Sequence, residues 1–300
     1  MNICYQRNDN ILLLSLSLCG WRYENVYSKM RKVPDIYVEI QDELTKSNFN
    51  FEVFDEYFSH RNPYWFFRWV LKHSEIPEYE LNEDAKSEEL AYYENFDKAY
   101  LSLGQHVELK HYKKKVIQLA DEELNKYQKR VPVLIDKANE LLPVNKDISQ
   151  IIIYPNYLAV IGSGFAIWED KTLKIIAGPP KDAEEDLSDL LLHEYLHSII
   201  NPLVNKHYDD KDLATPAGVV DDFYQKSHPK YKTVLSEYII RALVVRILDS
   251  GEQILREKNK RGFAKMEEVS KTINSYKNLK TDNQFCDMLN KVNEILLKVK

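Results

Sequence analysis

The chain has 300 residues, enough for one large domain or two moderate ones with a sizeable core. It is 44% hydrophobic, 29% charged and 12% aromatic, the balance of an ordinary folded protein. A formal charge of −6 and lysines scattered over polar helix faces exclude a nucleic-acid binder held by phosphate contacts. Three cysteines, Cys4, Cys19 and Cys286, are too few and too oddly spaced for a disulfide framework or a cysteine-rich metal site.

In chain order, the apolar stretch Ile11 to Cys19 comes first. It follows Arg7 and Asp9, lacks a small-x-small cleavage signature and falls short of the ~20 apolar residues of a membrane span. It reads as part of the fold, which points to a cytoplasmic chain with no membrane partner. Residues 1–147 are expected to be mainly helical. Pro34 opens a helix through Glu43, and Phe51, Phe54, Tyr57, Phe58, Trp65, Phe66, Phe67 and Trp69 supply an aromatic core block. Asn82 to Leu142 is charged and helix-forming, with a break expected at Pro132.

The pattern changes at Ile151. Ile151 to Tyr154 is a β-branched run ended by Pro155, and two further apolar runs, Phe165–Trp168 and Leu173–Ala177, are joined by Glu169 to Thr172. These predict a small sheet containing a hairpin. Gly162-Ser163-Gly164 marks a turn or bulge, and the absence of a following lysine excludes a phosphate loop. A helix then starts after Pro179-Pro180, with Asp182 and Glu185 as a capping pair, and is expected to stop at Asn201-Pro202. A second, strongly apolar helix is expected from Thr233 to Ser250, ended by Gly251. Phe285, Met288, Leu289, Val292, Ile295, Leu296 and Val299 form one face of a C-terminal packed helix. The fold class expected is α+β and predominantly helical. A helical region, 1–147, precedes a region, 148–300, in which a small sheet packs on the helix after Pro180, followed by a helical C-terminal part; the two regions can also form one continuous domain.

The helix Leu187 to Ile200 reads LSDLLLHEYLHSII and is apolar nearly all round. Buried imidazoles and carboxylates are costly unless they are paired or bound to a cation. His193 and His197 are spaced i and i+4, so both rings leave one face and can reach one zinc ion. Glu194 follows the first of them, placed to hold a water molecule instead of the ion. This is the H-E-x-x-H arrangement of metalloproteases. The alternative is a pair of satisfied core histidines beside a salt-bridged glutamate.

A catalytic zinc ion takes a third protein ligand and keeps a position for water. Glu237, inside the apolar helix SEYIIRALVVRIL, is the best candidate; its competing role is an ion pair with Arg241 at i+4, and both can hold. His207, His228, Asp221 and Asp222 are rival ligands in a polar, loop-like stretch. With one Zn2+ in place, Glu194 is expected to act as general base on the attacking water. His228 or Tyr231, just before the Glu237 helix, is expected to donate to the oxyanion.

His193-Glu194-Tyr195-Leu196-His197 with Ser198, Asn201-Pro202 and Glu237-x-x-x-Arg241-Ala242 resembles a little-characterised bacterial family of zincin metallopeptidases, a domain of unknown function. That family is similar in outline to the gluzincins, whose third zinc ligand is a glutamate on a later helix. Leu12 to Trp21 and Gly262-Phe263 extend the resemblance over most of the chain. It implies a zincin-like fold, zinc on His193, His197 and Glu237, a base at Glu194 and a peptide or protein substrate. Many gluzincins carry an aspartate where this chain has Arg241, which leaves Asp189, Asp221 and Asp222 as open partners for the histidines.

Substrate in zincins lies along an edge strand above the metal helix, and the strands between Tyr157 and Ala177 would supply that edge. Three other readings compete with the hydrolase: an inactive zincin-like binding or scaffold protein, a non-haem iron enzyme, and a metal-free structural protein. A peptide deformylase is excluded because no cysteine stands where its ligand should be.

Overall fold

A computed structural model describes residues 2–23, 33–59, 63–71, 96–143, 148–179, 188–208, 213–249 and 262–298. Strand β1 (Asn2–Tyr5) leads into helix α1 (Asp9–Gly20), which is capped by the Asn8 side chain accepting from the Ile11 N–H. Helices α2 (Asp35–Thr45), α3 (Asp55–Phe58), α4 (Pro63–Val70), α5 (Phe96–His106) and the long α6 (Leu109–Leu141) complete the first half. The second half holds β2 (Gln150–Pro155), β3 (Gly164–Glu169) and β4 (Thr172–Ala177), then α7 (Ser188–His207), α8 (Asp222–Ser227), α9 (Tyr231–Leu248), α10 (Met266–Asn274) and α11 (Asp282–Leu297). The chain is α+β and mostly helical, around a small mixed sheet.

The sheet runs in the order β1-β2-β4-β3. β1 and β4 each pair parallel with β2, and β3 pairs antiparallel with β4 as the expected hairpin. Its tight turn is made possible by Asp170, one of the few non-glycine residues with positive φ. β1 is an addition to the expected helical region: it sets Ile3 against Ile151 and Tyr5 against Ile153.

Alternation along the strands divides two cores. Ile151, Ile153, Leu173 and Ile175 face α7, α9, α10, α11 and the C-terminal half of α6. Ile152, Tyr154, Ile167 and Ile176 face the other way, toward α1, α2 and an aromatic cluster. In that cluster Phe66 and Phe96 lie 4.7 Å apart and Phe54 stacks on Phe58 at 5.1 Å. Of the expected aromatic block, Trp65 stands apart at 46% exposure.

Three helix ends differ from expectation. α6 runs through Pro132 and α7 runs through Pro202. Each proline removes one N–H from its helix, but buried side chains on both sides clamp the turn: Val131, Leu134 and Ile135 in α6, Ile199, Ile200 and Val204 in α7. The left-handed residue closing α9 is Asp249, φ 53°, whose N–H returns to the Arg246 carbonyl. Gly251 and the capping pair Asp182 and Glu185 lie outside the described residues, as does Val299. No helix among the described residues is long and apolar enough to cross a membrane.

Candidate metal centre

α7 is wedged between the β3–β4 hairpin on one side and α6, α9 and α11 on the other. That enclosure explains why its sequence is apolar nearly all round. Gly164 in β3 helps it approach, since a methyl there would come within 3.0 Å of the Leu190 side chain. On the far side, the Tyr195 hydroxyl donates to Asn139 Oδ1 of α6 at 2.7 Å and fixes the rotation of the helix. With α7 held this way, His193 and His197 point together toward α9.

α9 is more deeply buried still, and Glu237 is exposed by only 6%. Its carboxylate faces both imidazoles: Oε2 lies 3.6 Å from His193 Nε2, and Oε1 lies 3.3 Å from His197 Nε2. The two Nε2 atoms are themselves 3.2 Å apart. Ligands 2.0–2.1 Å from one tetrahedral ion are separated by roughly 3.3 Å, so the three spacings are those of a ligand set. His193, His197 and Glu237 therefore form a buried group that could hold a metal ion, the one such group found among the described residues.

The ion pair foreseen for Glu237 is present beside this grouping. Arg241 Nη2 lies 3.0 Å from Glu237 Oε2, and its guanidinium rests over the Phe263 ring, 4.7 Å from the centroid. Burial works to raise the Glu237 carboxyl, but Arg241 and then His193 overcome it and hold the group well below the usual carboxylate range. For His197 burial opposes the charged form, while Glu237 and Glu194 outweigh it and push the imidazole up to about 9. Glu194 is 6% exposed, one residue from His193 and three from His197 on the same helix.

The segment 213–231 is a loop pinned at its base, where Ala214 bridges Lys230 and the Tyr231 N–H donates to the Leu213 carbonyl. At its crest, Asp221 caps α8 by accepting from the Tyr224 N–H at 2.6 Å. Tyr224 and His228, one turn apart, stack with ring centres 4.2 Å apart. The Tyr224 hydroxyl lies beside the Glu237–Arg241 pair, where burial first and Glu237 second raise its pKa. Burial lowers the His228 imidazole against the pull of Glu237. Tyr231, by contrast, donates its hydroxyl to Asn293 Oδ1 of α11 at 2.9 Å.

Tyr224 was invisible as a site residue because its stretch reads as polar loop. The available signal was an aromatic four residues before a histidine, one face of a short helix. Of the partners left open for the histidines, Asp189 accepts from the Leu190 N–H and Asp221 is the α8 cap. Asn201, expected to end the helix, instead places its side chain 3.3 Å from His197 Nδ1. His207 sits at the other end of α7, 3.8 Å from Asp282.

Comparison with curated proteins and with solved structures found no match. Residues 174–296, from β4 through nearly all of α11 and including all three candidate ligands, match the family described as a domain of unknown function, DUF4932.

Proposed function

We propose that this chain is a zinc-dependent hydrolase, and specifically a metallopeptidase with a zincin-like arrangement of sheet and metal helix. The observation that carries the reading is the convergence of His193, His197 and Glu237 at ligand spacing, with the buried Glu194 carboxylate one residue from the first ligand. Two imidazoles and one carboxylate are the protein half of a hydrolytic zinc site with an open position. Zinc bound there supplies a Lewis acid that acidifies a water molecule and polarises the scissile carbonyl.

The remaining work falls to the chain. Glu194 takes the proton of the attacking water as the C–O bond forms, then hands it to the amine as the C–N bond breaks. A carboxylate needed only for stability would not have to stand at this position, which favours an enzyme over a binding scaffold. Tyr224 and His228 stand over the Glu237–Arg241 pair, and His228 is the better placed of the two donors foreseen for the oxyanion, since the Tyr231 hydroxyl is already committed to Asn293. β3 pairs with β4 on one side only among the described residues, and its free edge beside α7 suits an extended peptide adding as a further strand.

Glu194→Gln is the test. The variant is expected to keep its zinc and lose cleavage of a peptide library by at least ~100-fold. Retained cleavage, or failure of the zinc-loaded wild type to cleave any member, would overturn the peptidase reading.

A further inference from the structure

α7 carries Asn201 and Pro202 in its interior, two residues that helices disfavour. Asparagine competes for backbone hydrogen bonds and favours caps and turns, so a role outside the backbone is needed to account for it. The geometry supplies one. Asn201 is four residues after His197, on the same face, and its side-chain amide is 3.3 Å from His197 Nδ1. The other ring nitrogen, Nε2, is the one turned toward Glu237 and His193, at 3.3 Å and 3.2 Å.

A neutral imidazole that offers its Nε2 lone pair to a metal must carry its proton on Nδ1. Nδ1–H then needs an acceptor, whereas the amide nitrogen of Asn201, which lies opposite it, is a second donor. Amide oxygen and nitrogen exchange places by a half-turn of the side chain, and the hydrogen-bond network decides which faces inward. We infer that Asn201 is the positioning residue of the metal centre: its Oδ1 accepts from His197 Nδ1–H, fixes the tautomer and aims Nε2 at the ion. His197 is the more exposed of the two histidines, 23% against 12%, so its ring is the one less held by packing. The inference rests on the metal site proposed above and adds a residue that sequence patterning had assigned to a helix stop.

Competition of the full-length protein against a zinc chelator tests it, with cobalt as a second probe. Asn201→Leu, which keeps size and removes the acceptor, is expected to weaken zinc binding 10- to 100-fold. Asn201→Asp, which keeps an acceptor, is expected to restore binding to within a few-fold of wild type or better. A role in helix stability alone would give the opposite order, since leucine is the better helix former of the two. The wild type provides a measurement free of any folding defect: ring 15N spectra of the zinc-loaded protein should show His197 protonated at Nδ1, with a slowly exchanging proton. Asn201→Leu binding zinc as tightly as wild type, Asn201→Asp binding as weakly as Asn201→Leu, or an Nδ1 without its proton each overturns the inference. Wild-type protein that takes up neither zinc nor cobalt overturns the metal site itself, a distinguishable outcome.

Discussion

Glu237 and Arg241 occupy the interior of a helix whose other buried positions are nearly all hydrocarbon. A buried ion pair is poor evidence of stability in itself, yet removing one partner strands the other. Arg241→Met is therefore expected to destabilise the metal-free protein by about 3–5 kcal/mol in chemical denaturation. Compared above pH 9, where the His197 imidazole is neutral, Arg241→Met combined with Glu237→Met should recover much of that loss, because neither member of the pair is then left as a stranded charge. A double variant no more stable than the single one would show that the cost lies in packing against Phe263.

His197 gives the metal-free protein a pH signature. Its ordinary value is 6.5, and the folded environment raises it to about 9 through Glu237 and Glu194, against the opposing effect of burial. A raised value means that the folded state favours the imidazolium. The resulting stabilisation, about 3 kcal/mol, is fully present below pH 6.5 and is lost as pH rises through about 9. Chelator-treated wild type should lose unfolding free energy across that window, while His197→Gln should show a flatter profile. Parallel profiles would remove the proposed coupling to Glu237.

At the scale of elements, legibility in the sequence depends on how local the governing pattern is. The motif helix, the β3–β4 hairpin and the C-terminal helix were readable because buried periodic patterns dominate them. β1 was not, since it is four residues long and its partner β2 lies some 150 residues away, where no local pattern can announce the pairing. Pro132 and Pro202 misled because local propensity yields to flanking burial. Among the site residues, His193, Glu194, His197 and Glu237 stood out as polar groups on apolar helices. Tyr224 and Asn201 looked like ordinary loop and stop residues, and their part depends on tertiary placement.

The cap of α8 lies against one backbone position. Gly262 adopts φ +69°, and a methyl there would meet Asp221 Cβ at 2.6 Å. Asp221 in turn caps α8, which carries Tyr224 and leads into His228. Gly262→Ala is expected to lower stability by about 1–3 kcal/mol from left-handed strain alone. It should also displace α8, visible as altered near-ultraviolet dichroism of the stacked aromatic side chains. Stability and dichroism both unchanged would mean that the contact with Asp221 relaxes freely.

Over the whole molecule, the sheet is shared ground. β1 ties the first residues of the chain to β2, one face of the sheet covers the aromatic cluster, and the other presents the hairpin to α7. The family match begins at residue 174 and contains the candidate ligands, yet β1, β2 and β3 of the sheet lie before it. Part of the scaffold thus comes from sequence that precedes the matched stretch. Metal analysis of the purified full-length protein tests the central claim most directly, comparing wild type with Glu194→Gln and Glu237→Ala. One zinc per chain in wild type and in Glu194→Gln, and none in Glu237→Ala, is the predicted result. Zinc fully retained in Glu237→Ala, or wild type that binds none when zinc is supplied, would contradict it.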